Sequence, residues 1–500
     1  MRSPLAEILL IGLLALCCAV GCGGDDDEAE VAANPFAGTQ VTVSLPAGLG
    51  LEREWELALA EWKQRTGAEV ELKPRELADD RSLLEAYGGA ADAADLILFP
   101  LVGTAELGDA GWFPVISEPL RKPSQLDWND LFKGLRDTIG TRYGGPATVP
   151  ISCPVLVCYY REDLLAAANL TPPRTWGEYQ TLIETSGDWA GGLPVIEPWG
   201  EEFRATMFLA RAVSYVKHPD DYSTFFDIRS GEPKIDGPGF QRAWEESLKA
   251  VRAMPPEVLT YDTYDCRNEF FAGRAAMAIT FETGYGNPPP VLVPSKPREA
   301  ESAAAESRGT DIAVGFVRLP GAAEVFHQSK NEWTAGAEDG VNFVTLSGFG
   351  GMSAAVSSAS SEKASAAAWN LYEFLTSQEQ MSITFPPATR TLCRSSQMSY
   401  PDVWLPDDIT AAEGGSYLGE VSRSLEDRSF VAELPVTGRA QFRAVLTEGL
   451  SAGLTDEAAG GEMLKNVAVR WSEIAENLGV ATVRDSYRRS LGLRPLGAAE

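Results

Sequence analysis

Histidine is almost missing from this sequence: His218 and His327 are the only two in 500 residues, and neither belongs to a metal-ligand spacing. No metal and no cofactor is therefore expected. Positive charge is also scarce, with 42 Lys and Arg against 71 Asp and Glu and a net charge of −29. Nucleic acid needs a concentrated basic surface, so it is excluded as a partner. The acidity would suit cationic solutes, but total charge speaks chiefly to solubility and names no ligand. Catalytic signatures are missing too: no nucleophile elbow, zinc motif, phosphate-binding loop or dinucleotide fingerprint stands at a strand-to-helix junction. Gly348-Phe349-Gly350-Gly351 has the glycines of a phosphate loop without its lysine or spacing. No catalytic residue is assigned, and enzyme activity is not expected.

Residues 5–20 form an apolar run broken only by Glu7 and preceded by Arg2, too short and poorly flanked for a membrane span and shaped as an export signal. Ala19-Val20-Gly21-Cys22 then places small residues ahead of a thiol, the shape of a bacterial lipobox. Cys22 is the expected lipid-bearing first residue once residues 1–21 are removed. Leu14-Ala15-Leu16-Cys17 competes poorly because Leu16 is bulky, and an ordinary secretory signal is the alternative. Residues 22–39 are acidic and small, without apolar periodicity, and read as a tether. Lipid on one cysteine suits a body that works beside a membrane.

Few cysteines remain after cleavage: Cys22, Cys153, Cys158, Cys266 and Cys393. In an extended run Cys153 and Cys158 stand ~16 Å apart, beyond disulfide reach. A bridge between Cys266 and Cys393 is open to an exported chain, as are free, packed thiols. Beyond the tether, strands and helices alternate. Residues 40–45 are β-branched and alternating, 51–65 carry apolar residues at helical spacing, and 68–72 and 95–99 read as strands. That order predicts an α/β fold with a mostly parallel sheet and ligand-facing loops at its strand ends, 46–49 and 100–104.

Several motifs then follow in a familiar order: Tyr143-Gly144-Gly145-Pro146, residues 155–160, Arg161-Glu162-Asp163-Leu164-Leu165, Pro172-Pro173-Arg174-Thr175-Trp176-Gly177-Glu178-Tyr179, Phe270-Phe271-Ala272-Gly273-Arg274, and Gly348-Phe349-Gly350-Gly351-Met352 with the helix at 364–375. This set, spread over residues 40–480, resembles the extracellular solute-binding proteins of family 1, which include maltodextrin-binding proteins. The resemblance implies a two-lobed periplasmic-binding-protein-like (type II) fold with three interlobe crossings. Lobe one would comprise 40–149 and 282–352, and lobe two 152–280 and 354–500. It also implies capture of a small solute, a mono- or oligosaccharide, for an ABC permease, by a monomer anchored in a bacterial envelope. The alternatives are a lipoprotein receptor for a non-sugar solute such as a polyamine, and an envelope glycan hydrolase.

Residues alone place Thr175 as the cap of a helix begun at Trp176, and Trp176, Phe270, Phe271 and Met277 in the core. Glu197-Pro198-Trp199 is similar to the acidic-Pro-aromatic turn with which maltodextrin-binding relatives hold sugar, an indole for a sugar's C–H face and a carboxylate for its hydroxyls. It is also readable as a proline turn whose Trp covers the core. The resemblance further puts Phe99, Phe281, Glu282, Tyr285, Phe349 and Arg390 at the cleft. Phe99 is equally readable as the last core residue of its strand, and Arg390 as a surface ion-pair partner. Residues 287–309 and the arginine-bearing tail 481–500 read as local additions without an assigned role.

Overall fold

The computed structural model describes residues 34–47, 51–75, 94–114, 127–282, 312–348, 350–377, 379–380, 391–400, 404–405, 409–427, 429–455 and 462–497. Cys22, Tyr285, Phe349 and Arg390 lie outside them. No helix among the described residues is long and apolar enough to cross a membrane.

The first sheet forms from β1 (Gln40–Pro46), β2 (Glu69–Arg75), β3 (Leu96–Pro100), β6 (Val149–Ser152) and β14 (Met352–Val356), in the order β2-β1-β3-β14-β6. The two-strand ladder of β4 (Thr141–Arg142) and β5 (Gly145–Pro146) stands beside it. β1 pairs parallel to both β2 and β3, as the alternation of strand and helix predicts, whereas β14 runs antiparallel between β3 and β6. Helix α1 (Leu51–Thr66) buries Leu51, Trp55, Ala58, Leu59 and Trp62, a stripe at helical spacing. The Trp62 indole donates to Asn370 Oδ1 at 2.9 Å, joining α1 to a helix more than 300 residues away in sequence.

The second sheet has the order β10-β7-β9-β8, built from β7 (Leu156–Arg161), β8 (Val195–Ile196), β9 (Met277–Phe281) and β10 (Val314–Arg318). β7 is antiparallel to β9 and β10, so the mostly parallel sheet holds only for part of the molecule. The hairpin of β11 (Glu324–His327) and β12 (Glu332–Ala335) follows, and β13 (Thr345–Ser347) pairs parallel with β15 (Phe430–Ala432). The first half holds α2 (Thr104–Asp109) and α3 (Lys133–Thr138); the second holds α4 (Glu162–Ala167), α5 (Trp176–Glu184), α6 (Arg204–Val216), α7 (Pro238–Ala253) and α8 (Thr263–Phe271). Thr175 caps α5 as expected, its Oγ1 accepting from Glu178 N at 3.1 Å while Glu178 Oε2 accepts from Thr175 N at 2.9 Å. Gly273, at φ +77°, ends α8. Trp176, Phe270, Phe271 and Met277 are all buried.

Two expected boundaries are corrected. β10 falls inside the 282–352 segment assigned to lobe one, yet it pairs with β7 in the second sheet. Residues from 354 onward were assigned to lobe two, yet β14 is a first-sheet strand and α9 (Glu362–Leu375) packs on β1 and β3. Both segments are apolar and could cover either sheet, so strand pairing decides. Later helices α10 (Ala411–Glu426), α11 (Arg439–Thr455), α12 (Met463–Leu478) and α13 (Val480–Ser490) complete the body. α11 packs on α6, α10 touches both β10 and α3, and α13 touches α2. Cys153, Cys158, Cys266 and Cys393 are buried free thiols, so Cys266 and Cys393 form no bridge.

The chain passes from the first sheet to the second at residues 153–155 and returns between β12 and β14. At the return, Gly351 adopts φ +76°, and a Cβ there would stand 2.4 Å from Ser152 O. Gly351→Ala is expected to cost about 1–3 kcal/mol through left-handed strain alone, with the backbone clash adding to it. Urea midpoints of the two proteins measure the loss, and an unchanged midpoint would show that the return segment relaxes freely.

Candidate functional site

The passages between sheets converge. Cys153 N donates to Thr391 Oγ1 at 2.6 Å, Leu101 N to Gly351 O at 3.3 Å, and Val155 N to Glu282 Oε2 at 2.7 Å, while Glu282 N donates to Val155 O at 3.0 Å. Glu282 is buried, and its other carboxylate oxygen has no hydrogen-bond partner. Burial pushes its carboxyl up to about 8, only partly opposed by the Val155 N–H and by Arg267. Arg267 donates to Tyr159 Oη at 2.8 Å and to the Glu282 carbonyl at 3.2 Å, and its guanidinium covers the Phe271 ring at 4.6 Å. Of the cleft residues suggested by sequence that lie among the described residues, Glu282 keeps a carboxylate oxygen without a hydrogen-bond partner where the two sheets meet.

Four others are enclosed rather than open to a cleft. Phe99 stacks on Phe113 at 5.6 Å in a small core with Ile97, Leu107 and Ala355, which is the reading as last core residue of β3. Trp199 is fully buried, its indole N–H donating to Glu197 Oε2 at 2.7 Å. Glu197 Oε1 accepts from Arg211 Nη2 at 2.6 Å, and Arg211 in turn donates to Ser247 Oγ at 3.0 Å and lies over the Trp176 ring at 4.4 Å. The acidic-Pro-aromatic turn is thus an internal brace: Arg211, 14 residues on, consumes the carboxylate. Phe281 is buried edge-on to Phe203, with centroids 6.4 Å apart.

Open space lies elsewhere at the junction. A cavity of about 390 Å³ is walled by Asp137 and Thr138 of α3, residues 217, 219–222 and 224–225 after α6, β15, Tyr487 and Ser490 of α13, and Leu491 just after it. α3 packs on β4 and β6 beside the first sheet, and α6 lies in the second half, so both halves supply walls. Tyr222 is 65% exposed there, an aromatic face free for contact. Beside it, Asp109 of α2 accepts from Arg142, from Arg489 Nε at 2.6 Å, from Thr437 Oγ1 at 2.7 Å and from Ser486. Burial raises its pKa, but Arg142 and then these hydrogen bonds outweigh burial and hold it below the ordinary value. Glu433 is held low against burial in the same way by Arg439 at 2.9 Å, Arg443 at 3.1 Å and Thr206 at 2.8 Å. None of these residues was singled out from sequence as part of a site. Their partners stand up to 380 residues apart, and the arginine-bearing tail was the one local signal.

Two outcomes follow. Glu197→Ala leaves Arg211 buried without its carboxylate, and about 3–5 kcal/mol of stability should be lost; a denaturation curve matching the parent protein would contradict the brace. Below pH 4.5 Glu282 is protonated folded and unfolded alike. Between 4.5 and about 8 only the unfolded chain releases the proton, so this group lowers stability as pH rises, by up to about 1.4 kcal/mol per unit, and above 8 the penalty is constant. Glu282→Gln should therefore flatten the decline between pH 5 and 8, and equal slopes in both proteins would refute the buried acid.

The family model for "Bacterial extracellular solute-binding protein" matches residues 58–391, about two thirds of the chain. An uncharacterised ABC transporter extracellular-binding protein of Pyrococcus horikoshii is 25% identical over 197 residues, 36% of this chain, and the match spans 44% of that relative's length. Among solved structures, a ribitol complex of an ABC transporter solute-binding protein from Agrobacterium radiobacter K84 gives a TM-score of 0.60 at 19% identity, covering 88% of this chain and all of that one. The cyclic alpha-maltosyl-1,6-maltose binding protein of Arthrobacter globiformis gives 0.60 at 15% identity, covering 88% and 99%. These likenesses place the two-sheet body in the two-lobed fold, and the family match extends from α1 through the return passage and α9. The chain belongs to the bacterial extracellular solute-binding proteins.

Proposed function

We propose that the chain captures a small solute, a mono- or oligosaccharide, between its lobes and hands it to an ABC permease. Its body would act as a monomer held near the membrane through lipid on Cys22. The observation that carries this reading is the junction cavity with walls from both halves. Its size falls within the range of small-molecule sites, roughly 300–1,000 Å³, and its lining mixes Asp, Thr and Ser oxygens with Phe225, Phe430 and Leu491. Hydroxyl-rich ligands use that mixture: carboxylates accept from hydroxyls while ring faces cover C–H surfaces. Relatives named for ribitol and a cyclic maltosyl sugar support the same class. A ligand that touches both walls stabilises the closed form by its differential affinity for that form, which a permease can read. Glu282, with Tyr285, Phe349 and Arg390, remains a proposed contact at the interlobe passages, and Tyr222 is the aromatic added here. No part of the reading calls for catalysis.

A thermal-shift screen of sugars, polyols, polyamines and amino acids tests it. A cognate sugar at 100 times its Kd should stabilise the protein by ~2.7 kcal/mol. Tyr222→Ala should weaken that binding about tenfold while leaving the melting temperature of the free protein unchanged, because the ring is exposed. A shift with polyamines alone would replace the sugar with a cationic solute, and turnover of the bound sugar would replace capture with hydrolysis.

A further inference from the structure

The chain's only two histidines, 109 positions apart in sequence, meet in the fold. His218 follows the end of α6 and His327 ends β11, and their rings stack with centroids 4.1 Å apart and planes within 11°. Asp220 joins them: one ligand atom from each of the three residues lies within 4.8 Å of the others. His218 Nδ1 stands 4.0 Å from Asp220 Oδ2. The His327 side chain is 4% exposed, and its Nδ1 has no hydrogen-bond partner. Asp221 Oδ2 lies 3.3 Å from that nitrogen without making a hydrogen bond to it. A buried imidazole nitrogen left unpaired is costly, so a native fold seldom keeps one without a use.

We propose that His218, His327 and Asp220 form a binding site for a divalent transition metal of the zinc class, independent of which solute the cleft takes. Two imidazoles and one carboxylate are the donor set such ions prefer, and three protein ligands leave a fourth position open. In a four-coordinate site two atoms each ~2.1 Å from the ion stand ~3.4 Å apart. The 4.8 Å spread must therefore contract by about 1.4 Å. Parallel rings also aim their lone pairs side by side, so one must tilt. His218 is the more exposed ring and sits on a turn rather than in a strand, which makes it the part that moves.

Asp221 supplies the support that metal-bound histidines need. Its carboxylate accepts from Gln328 N at 2.8 Å and from Ser329 Oγ at 2.7 Å, which ties the 217–222 turn to the residues just after His327. An ion would add a second tie across the same seam. Residues 217 and 219–222 line the junction cavity as well, so the ion would stiffen one wall of that cavity.

The test uses the full chain purified without a histidine tag and stripped with chelator. Titration calorimetry with ZnCl2 should show one ion per chain, and Co2+ should give the visible absorption of a four-coordinate nitrogen and oxygen site. His218→Gln and His327→Gln should each weaken zinc binding at least tenfold, and Asp220→Asn should weaken it less. If His327→Gln fails to fold, the other two variants decide, since both residues lie outside the core. Absence of saturable binding up to millimolar zinc would overturn the site. So would one-to-one binding of unchanged affinity in His218→Gln, because the ion would then sit elsewhere.

Discussion

The assembly of the molecule turns on a single buried carboxylate, Asp109. It sits on the short helix after β3, and it receives Arg142 from the same half together with Arg489, Ser486 and Thr437 from the C-terminal segment. Removing a carboxylate from water costs several kcal/mol, and that cost is met only if good partners surround it. Two guanidinium groups and two hydroxyls do so here. Gly108 makes the approach possible, since a Cβ there would stand 2.7 Å from Arg142 Nε. The C-terminal helices are thus fastened to the first half, although α11 packs on the second. The junction cavity lies where these attachments leave space between them.

The same device recurs. Glu197 with Arg211 braces the inside of the second half, and Glu433 with Arg439 and Arg443 anchors the chain just after β15. In a chain with so large an acidic excess, arginines are the limiting component, and these buried ones are committed to particular carboxylates. Glu282 departs from the pattern. Arg267 is close by and donates to Tyr159 and to main-chain carbonyls, yet burial dominates and the carboxyl favours its proton. That contrast separates acids that hold the fold from Glu282, which keeps an oxygen to spare where the two sheets meet.

Exposure divides the aromatic residues in a similar way. Trp199, Phe99 and Phe281 have the chemistry of sugar contacts, but apolar area gains most from complete burial, and each found a partner inside. Tyr222 stayed outside, on a turn where Asp220 is exposed and Asp221 is buried. Sequence resemblance picked residues by their place in a motif; in this chain the acid of that motif is consumed by an arginine supplied by another element.

What the sequence by itself determined is local. The order β1-α1-β2-β3, the Thr175 cap, the glycine that ends α8 and the core stripe of α1 all follow from backbone preferences and from periodicity within a few turns. Membership of a two-lobed family was also legible, because it rests on an ordered series of such local units. Only the tertiary structure decided that β10 joins the second sheet, that β14 and α9 join the first, that Asp109 meets Arg489, and that two solitary histidines face each other. Those outcomes depend on groups 100 to 380 residues apart whose attraction is set by burial and geometry, and neither quantity is encoded in the spacing of residues along the chain.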